Sequence, residues 1–115
     1  MEERRRFARV PVSLSIRFQG LNDFSEFIHG HLRDVSQGGL FVQTSKLKPV
    51  GSEVTLQIPD GAGRFHTITG IVRSVILPDD ESRKFPPGMG IEFVRVDAAL
   101  KALIDRIIAH HRRDR

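Results

Sequence analysis

The residues most suited to chemistry stand at the start of the chain, where Arg4-Arg5-Arg6-Phe7-Ala8-Arg9 sets Arg5 and Arg9 in an R-x-x-x-R pair with Arg4 just before it. A guanidinium can grip phosphate oxygens with two parallel hydrogen bonds, meet the O6 and N7 acceptors of guanine, or stack on a purine face. A guanine nucleotide would use all three capacities. Alone, however, the run reads as a solvated basic tail, the usual fate of a charge run near a terminus. A second group, Asp34-Val35-Ser36-Gln37-Gly38-Gly39, has complementary chemistry. Asp34 can accept from guanine N1–H and N2–H, Ser36 can donate or accept, and the glycines allow close backbone approach. By itself this group reads as an Asx or serine turn between strands. The two halves together are more specific than either.

The elements that must position them follow from periodicity. Val12, Leu14, Ile16 and Phe18 alternate with Ser13, Ser15, Arg17 and Gln19, the period of a strand with one apolar face. Residues 24–33 read as a second strand, interrupted near Gly30 by a bulge or close backbone approach. Ser36-Gln37-Gly38-Gly39 forms a turn into a strand at Leu40–Thr44, and Val54, Leu56 and Ile58 alternate in the next. Phe65–Leu77 is a long β-rich segment with Gly70 as a candidate kink, and residues 78–87 are polar and proline-bearing, hence a loop. Met89, Ile91 and Phe93 share one face of a final strand.

After Asp97 the period changes. Leu100, Leu103, Ile104, Ile107 and Ile108 follow helical spacing, with Asp97 placed to cap the N-terminus and Arg112 and Arg113 near the C-terminus. About six short strands and one helix predict an all-β fold, a small six-stranded antiparallel barrel with a C-terminal helix packed on it. The expected organisation is a single domain: an arginine-rich arm over 1–10, the barrel over 11–96, and the helix with its basic tail over 97–115.

Composition narrows the function classes. The chain has 115 residues and a formal net charge of +4, which favours an anionic partner and leaves open a polyanion, a phosphorylated ligand or an acidic protein. The absence of cysteine excludes disulfides, thiolate metal sites and thiol catalysis. No stretch approaches the ~20 apolar residues of a membrane span, and the simplest expectation is a cytoplasmic protein. Neither His29 with His31 nor His110 with His111 supplies a metal-ligand set, and Asp34-x-Ser36 establishes no nucleophile, base and orienting group. The expectation is therefore a protein that is not an enzyme and carries no metal. Without Trp or Tyr, no basic pattern interleaves with stacking residues, which argues against a nucleic-acid polymer as partner.

At these residues the chain resembles the PilZ family of bacterial cyclic di-GMP receptors, through Arg5-x-x-x-Arg9 followed by Asp34-x-Ser36-x-x-Gly39. Gly39-Leu40-Phe41-Val42, Pro49-x-Gly51 before Val54-x-Leu56, Gly70-x-Val72 and Gly88-Met89-Gly90-Ile91-Glu92-Phe93 are similar to the family pattern in order and spacing. The resemblance implies a second-messenger receptor in which the arginine arm closes over cyclic di-GMP held on the barrel surface. Carried to this chain, it implies that Arg5 and Arg9 contact guanine and phosphate, that Asp34 and Ser36 recognise guanine edges, and that Gly39 keeps the approach open. Arg4 would support a second, intercalated ligand molecule. The resemblance further implies a downstream protein partner or ligand-dependent self-association, with a PilZ-like interaction adaptor that does not respond to ligand as the alternative. One departure stands out: the family often has an aromatic residue after the Gly-x-Val segment, where this chain has Arg73-Ser74.

Overall fold

Alternation in sequence becomes alternation in burial. On β1 (Val10–Gly20), Val12, Ile16 and Phe18 point into the core while Ser13 and Ser15 face outward. The strands that follow are β2 (Ile28–Val35), β3 (Gly39–Gln43), β4 (Glu53–Pro59), β5 (Phe65–Ile76) and β6 (Gly88–Phe93), and the chain ends in α1 (Ala98–Arg113). The computed structural model describes residues 10–20, 27–78 and 86–113, and the side chains of Arg112 and Arg113 also lie outside what is described. Every strand pair is antiparallel, and the order β1-β2-β3-β6-β5-β4 closes into a barrel because β1 pairs with both β2 and β4. Closure removes the unpaired edges that an open sheet would leave. The expected six-stranded barrel with one C-terminal helix is the observed fold.

Two local expectations move. Gly30 stays in register opposite Ile16, and its missing side chain makes room for Val42, whose Cγ2 would lie 2.4 Å from a Cβ at that position. What approaches Gly30 is side chains, those of Val42 and Phe18, and the register shift falls further along, between Leu32 and Asp34. Gly70 likewise stays paired, opposite Val54 and Phe93, and the shift in β5 comes between Val72 and Ser74. At both shifts two successive residues are kept out of the core, which strict alternation forbids.

The helix seals the core from outside β1. Leu100, Leu103, Ile104 and Ile107 are buried in the same cluster as Val10, Val12 and the inward residues of the barrel. Burying a side chain of that size contributes roughly 1.5–3 kcal/mol, so the apolar stripe fixes how α1 docks. Its first turn is capped as expected, with Asp97 Oδ1 accepting from the Leu100 amide at 2.8 Å. At the other end, the His111 ring nitrogens lie 2.9 Å from the Ile107 carbonyl oxygen and 3.4 Å from that of Ser13, tying the last turns to β1. Between β4 and β5, Asp60 Oδ1 accepts from the amides of Ala62 and Arg64. The Ala62 bond is the main reason its carboxyl sits below the usual carboxylate range.

Asp97→Ala is expected to lower stability by about 1 kcal/mol, and Asp97→Asn by only a few tenths, because asparagine keeps the capping acceptor. Urea denaturation of the two variants beside the parent chain checks this.

Candidate functional site

The turn joining β2 to β3 is built before any ligand is considered. The Ser36 amide donates to the Gly39 carbonyl at 2.8 Å, closing the turn. Ser36 Oγ accepts from the Gly38 amide at 3.2 Å and lies 3.4 Å from the Gly39 carbonyl oxygen as a donor. With 5% of its surface exposed, Ser36 is the one buried polar residue among those described, and its hydroxyl is engaged within its own turn. The turn then docks on the barrel, with the Phe93 amide of β6 donating to the Gly38 carbonyl at 3.0 Å.

Gly39 has a steric requirement. A Cβ at that position would stand 2.3 Å from the Ile91 carbonyl oxygen, a backbone atom fixed in the β3–β6 ladder. Only glycine lets β3 begin against β6 at this point. Gly39 in turn sits opposite Glu92, whose Oε1 takes a 2.6 Å ion pair from Arg73 Nε across to β5. Arg73 is exposed on β5, and it is paired.

Asp34 belongs to β2 itself, not to the turn that the sequence suggests. The bulge between Leu32 and Asp34 explains the difference. Leu32 and Val35 are buried while Arg33 is exposed and Asp34 half-buried, so two adjacent residues are both kept outside the core. Asp34 lies opposite Pro11 on β1 and Phe41 on β3. Asp34, Ser36 and Gly39 therefore come together around one corner of the barrel's outer wall. Arg4, Arg5 and Arg9 lie outside the described residues. The chain that carries them joins the barrel at Val10, which pairs with Val35, the residue immediately before Ser36.

Two features of this corner escape a reading of the motifs. Gln37 Nε2 donates to Asp105 Oδ1 on α1, and Lys101 Nζ approaches the other oxygen of that carboxylate at 3.4 Å. No local pattern signals a contact between residues so far apart in sequence. Leu40 and Val42 are buried on either side of Phe41, and Phe41 faces outward. The turn spacing contains that signal, since closing Ser36 on Gly39 sets Val35 opposite Leu40 and Asp34 opposite Phe41. Among the described residues no group of three potential metal ligands occurs, and no helix is long and apolar enough to cross a membrane.

The model of the PilZ domain family matches residues 3–110. No curated protein sequence matches the chain. Among solved structures, the c-di-GMP-bound PilZ domain of Escherichia coli YcgR superimposes with a TM-score of 0.74 at 18% identity, over 97% of this chain and 94% of that one. The Bacillus subtilis inhibitor of motility MotI/DgrA gives a TM-score of 0.72 at 22% identity, over 99% of this chain and 54% of that one. The K. pneumonia MrkH–c-di-GMP complex gives 0.71 at 17% identity, over 99% and 54%. The chain thus spans about half the length of MotI/DgrA and of MrkH. At such identities these likenesses establish the fold.

Gly39→Ala is expected to cost about 1–3 kcal/mol through the clash with the Ile91 carbonyl. For a domain of ~100 residues each kcal/mol lowers the melting temperature by about 4–8 °C. A thermal scan, with amide exchange at Leu40 and Phe93 to localise the damage, checks it.

Proposed function

This chain belongs to the PilZ domain family, whose model matches residues 3–110, and from that membership we propose that it is a receptor for cyclic di-GMP. The single observation that carries the reading is the corner where Asp34, the Ser36 turn and Gly39 meet at the point where the arginine-bearing segment joins β1. The YcgR PilZ domain and the MrkH complex, which share this fold, both carry c-di-GMP. The proposed event is binding and release of a dinucleotide, with no bond made or broken.

In this proposal Arg5 and Arg9 stand on the closing arm that leads into β1 at Val10, and their guanidinium groups hold the phosphates and the guanine acceptors. Asp34 accepts from the guanine N1–H and N2–H edge, which adenine does not offer in the same arrangement. Ser36 and Gly39 hold the turn and keep it open to the ligand. Arg4 adds positive charge for a second, intercalated molecule. Closure of the arm over the ligand changes the surface that the protein offers to a partner protein or to a second copy of itself, a shift in population rather than a new fold. The basic balance of the chain, +4 at pH 7, raises the local concentration of such an anion.

Calorimetric titration with cyclic di-GMP tests the reading directly, and its stoichiometry separates one ligand molecule from two. A charge-assisted hydrogen bond is worth roughly 1.5–3 kcal/mol, so Arg5→Ala and Arg9→Ala are each expected to weaken binding about tenfold or more while the circular dichroism spectrum stays unchanged. A folded parent chain that takes up no ligand would move the ligand-independent adaptor ahead.

Asp34→Ala is expected to reduce the preference for cyclic di-GMP over cyclic di-AMP more than it reduces binding of either, as read by competition. Hydrogen exchange over residues 4–9 is expected to slow on adding ligand. An arm equally protected with and without ligand would count against closure.

A further inference from the structure

One row of the barrel's outer wall collects every irregularity in β1, β2 and β5. Pro11 lies opposite Asp34, Asp34 opposite Phe41, Phe41 opposite Gly90, and Gly90 opposite Ser74. The three register shifts, between Pro11 and Leu14, Leu32 and Asp34, and Val72 and Ser74, all fall on this row. Bulges of this kind re-aim side chains and concentrate at functional sites. Here Arg33 is exposed and Asp34 half-buried on one flank, Arg73 and Ser74 are exposed on the other, and the flanking Leu32, Val35 and Val72 are buried.

Between those flanks lies the Phe41 ring. It rests along β6, where a Cβ at Gly88 would meet its Cε2 and Cζ at 2.6 and 2.7 Å, and a Cβ at Gly90 would reach its Cδ1 at 4.0 Å. The space above Gly90 is shared with Ser74 Oγ, which would stand 2.4 Å from that Cβ. Two glycines therefore make a bed on which an aromatic ring lies against the strand while staying half-buried. Directly opposite cross-strand neighbours have Cβ atoms ~4.5–5.5 Å apart, which brings Asp34 to the edge of this platform.

We propose that Phe41, seated on Gly88 and Gly90, is the stacking platform for a guanine base of the bound dinucleotide, with Asp34 at the base's donor edge and the Ser74 hydroxyl on its far side. The proposal rests on the receptor reading above and adds to it a ligand-contacting residue outside both motifs. At Arg73-Ser74 β5 offers no ring, and Phe41 of β3 lies on the same row as Ser74, across Gly90. The Arg73–Glu92 ion pair borders the same surface.

The test uses the whole chain and exploits its lack of Trp and Tyr. Phe41→Trp introduces the only strong fluorophore, and cyclic di-GMP is expected to quench it saturably, with a midpoint matching calorimetry on the same variant. Phe41→Leu is expected to weaken binding about tenfold or more, in the range of a lost base–aromatic stack, with its folded spectrum intact. Wild-type affinity in folded Phe41→Leu, or Phe41→Trp that binds without quenching, would overturn the platform and leave the receptor standing. If Phe41→Leu does not fold, the quenching experiment decides alone. Failure of the parent chain itself to bind would remove both readings together.

Discussion

The carbonyl oxygen of Ile91 stands where a side chain at position 39 would begin, and the candidate site depends on that contact. Because residue 39 has no Cβ, β3 can start flush against β6, and the turn before it is drawn onto the barrel through the bond from the Phe93 amide to the Gly38 carbonyl. Ser36 then closes the turn from within. A buried hydroxyl costs free energy unless it is bonded, and here the turn's own backbone supplies the partners. The same few atoms that make an ordinary turn thus hold Asp34, Ser36 and Gly39 at one corner.

A closed barrel imposes its own constraint. Strict alternation would send every second residue inward, and Asp34 and Ser74 would fall into step with buried neighbours. The bulges relieve this at the cost of local ladder bonds, and they do so on one row, so the outer wall departs from regular sheet in the band that includes Asp34, Phe41, Gly90 and Ser74. The packed interior is left whole, with Leu32, Val35, Val72 and Ile91 buried around the irregular positions. Irregularity is confined to the surface because the core does not tolerate lost contacts.

The helix is connected to the site as well as to the core. Its apolar stripe fixes it on the barrel, and the bond from Gln37 to Asp105 joins its polar side to the turn. Burial contributes most of the energy of that docking. A polar contact such as this one contributes far less.

Much of this was legible in the chain. The 2.0 and 3.6 periods determine which residues of β1, β4, β6 and α1 face the core, since burial of an apolar face is decided by neighbours in sequence. Asp97 declares its cap in the same way, and the two motifs declare their chemistry through residue type and spacing, enough to point to the family. What the chain does not declare depends on partners distant in sequence. The placement of the register shifts at 33 and 73, away from Gly30 and Gly70, follows from which side chains must share the interior. The outward turn of Phe41 onto Gly88 and Gly90 needs β3 and β6 to be neighbours, and the meeting of Gln37 with Asp105 needs the helix to return beside the first hairpin. Sequence patterns carry local periodicity, whereas the pairing of strands and the packing of the helix are settled only when the barrel closes.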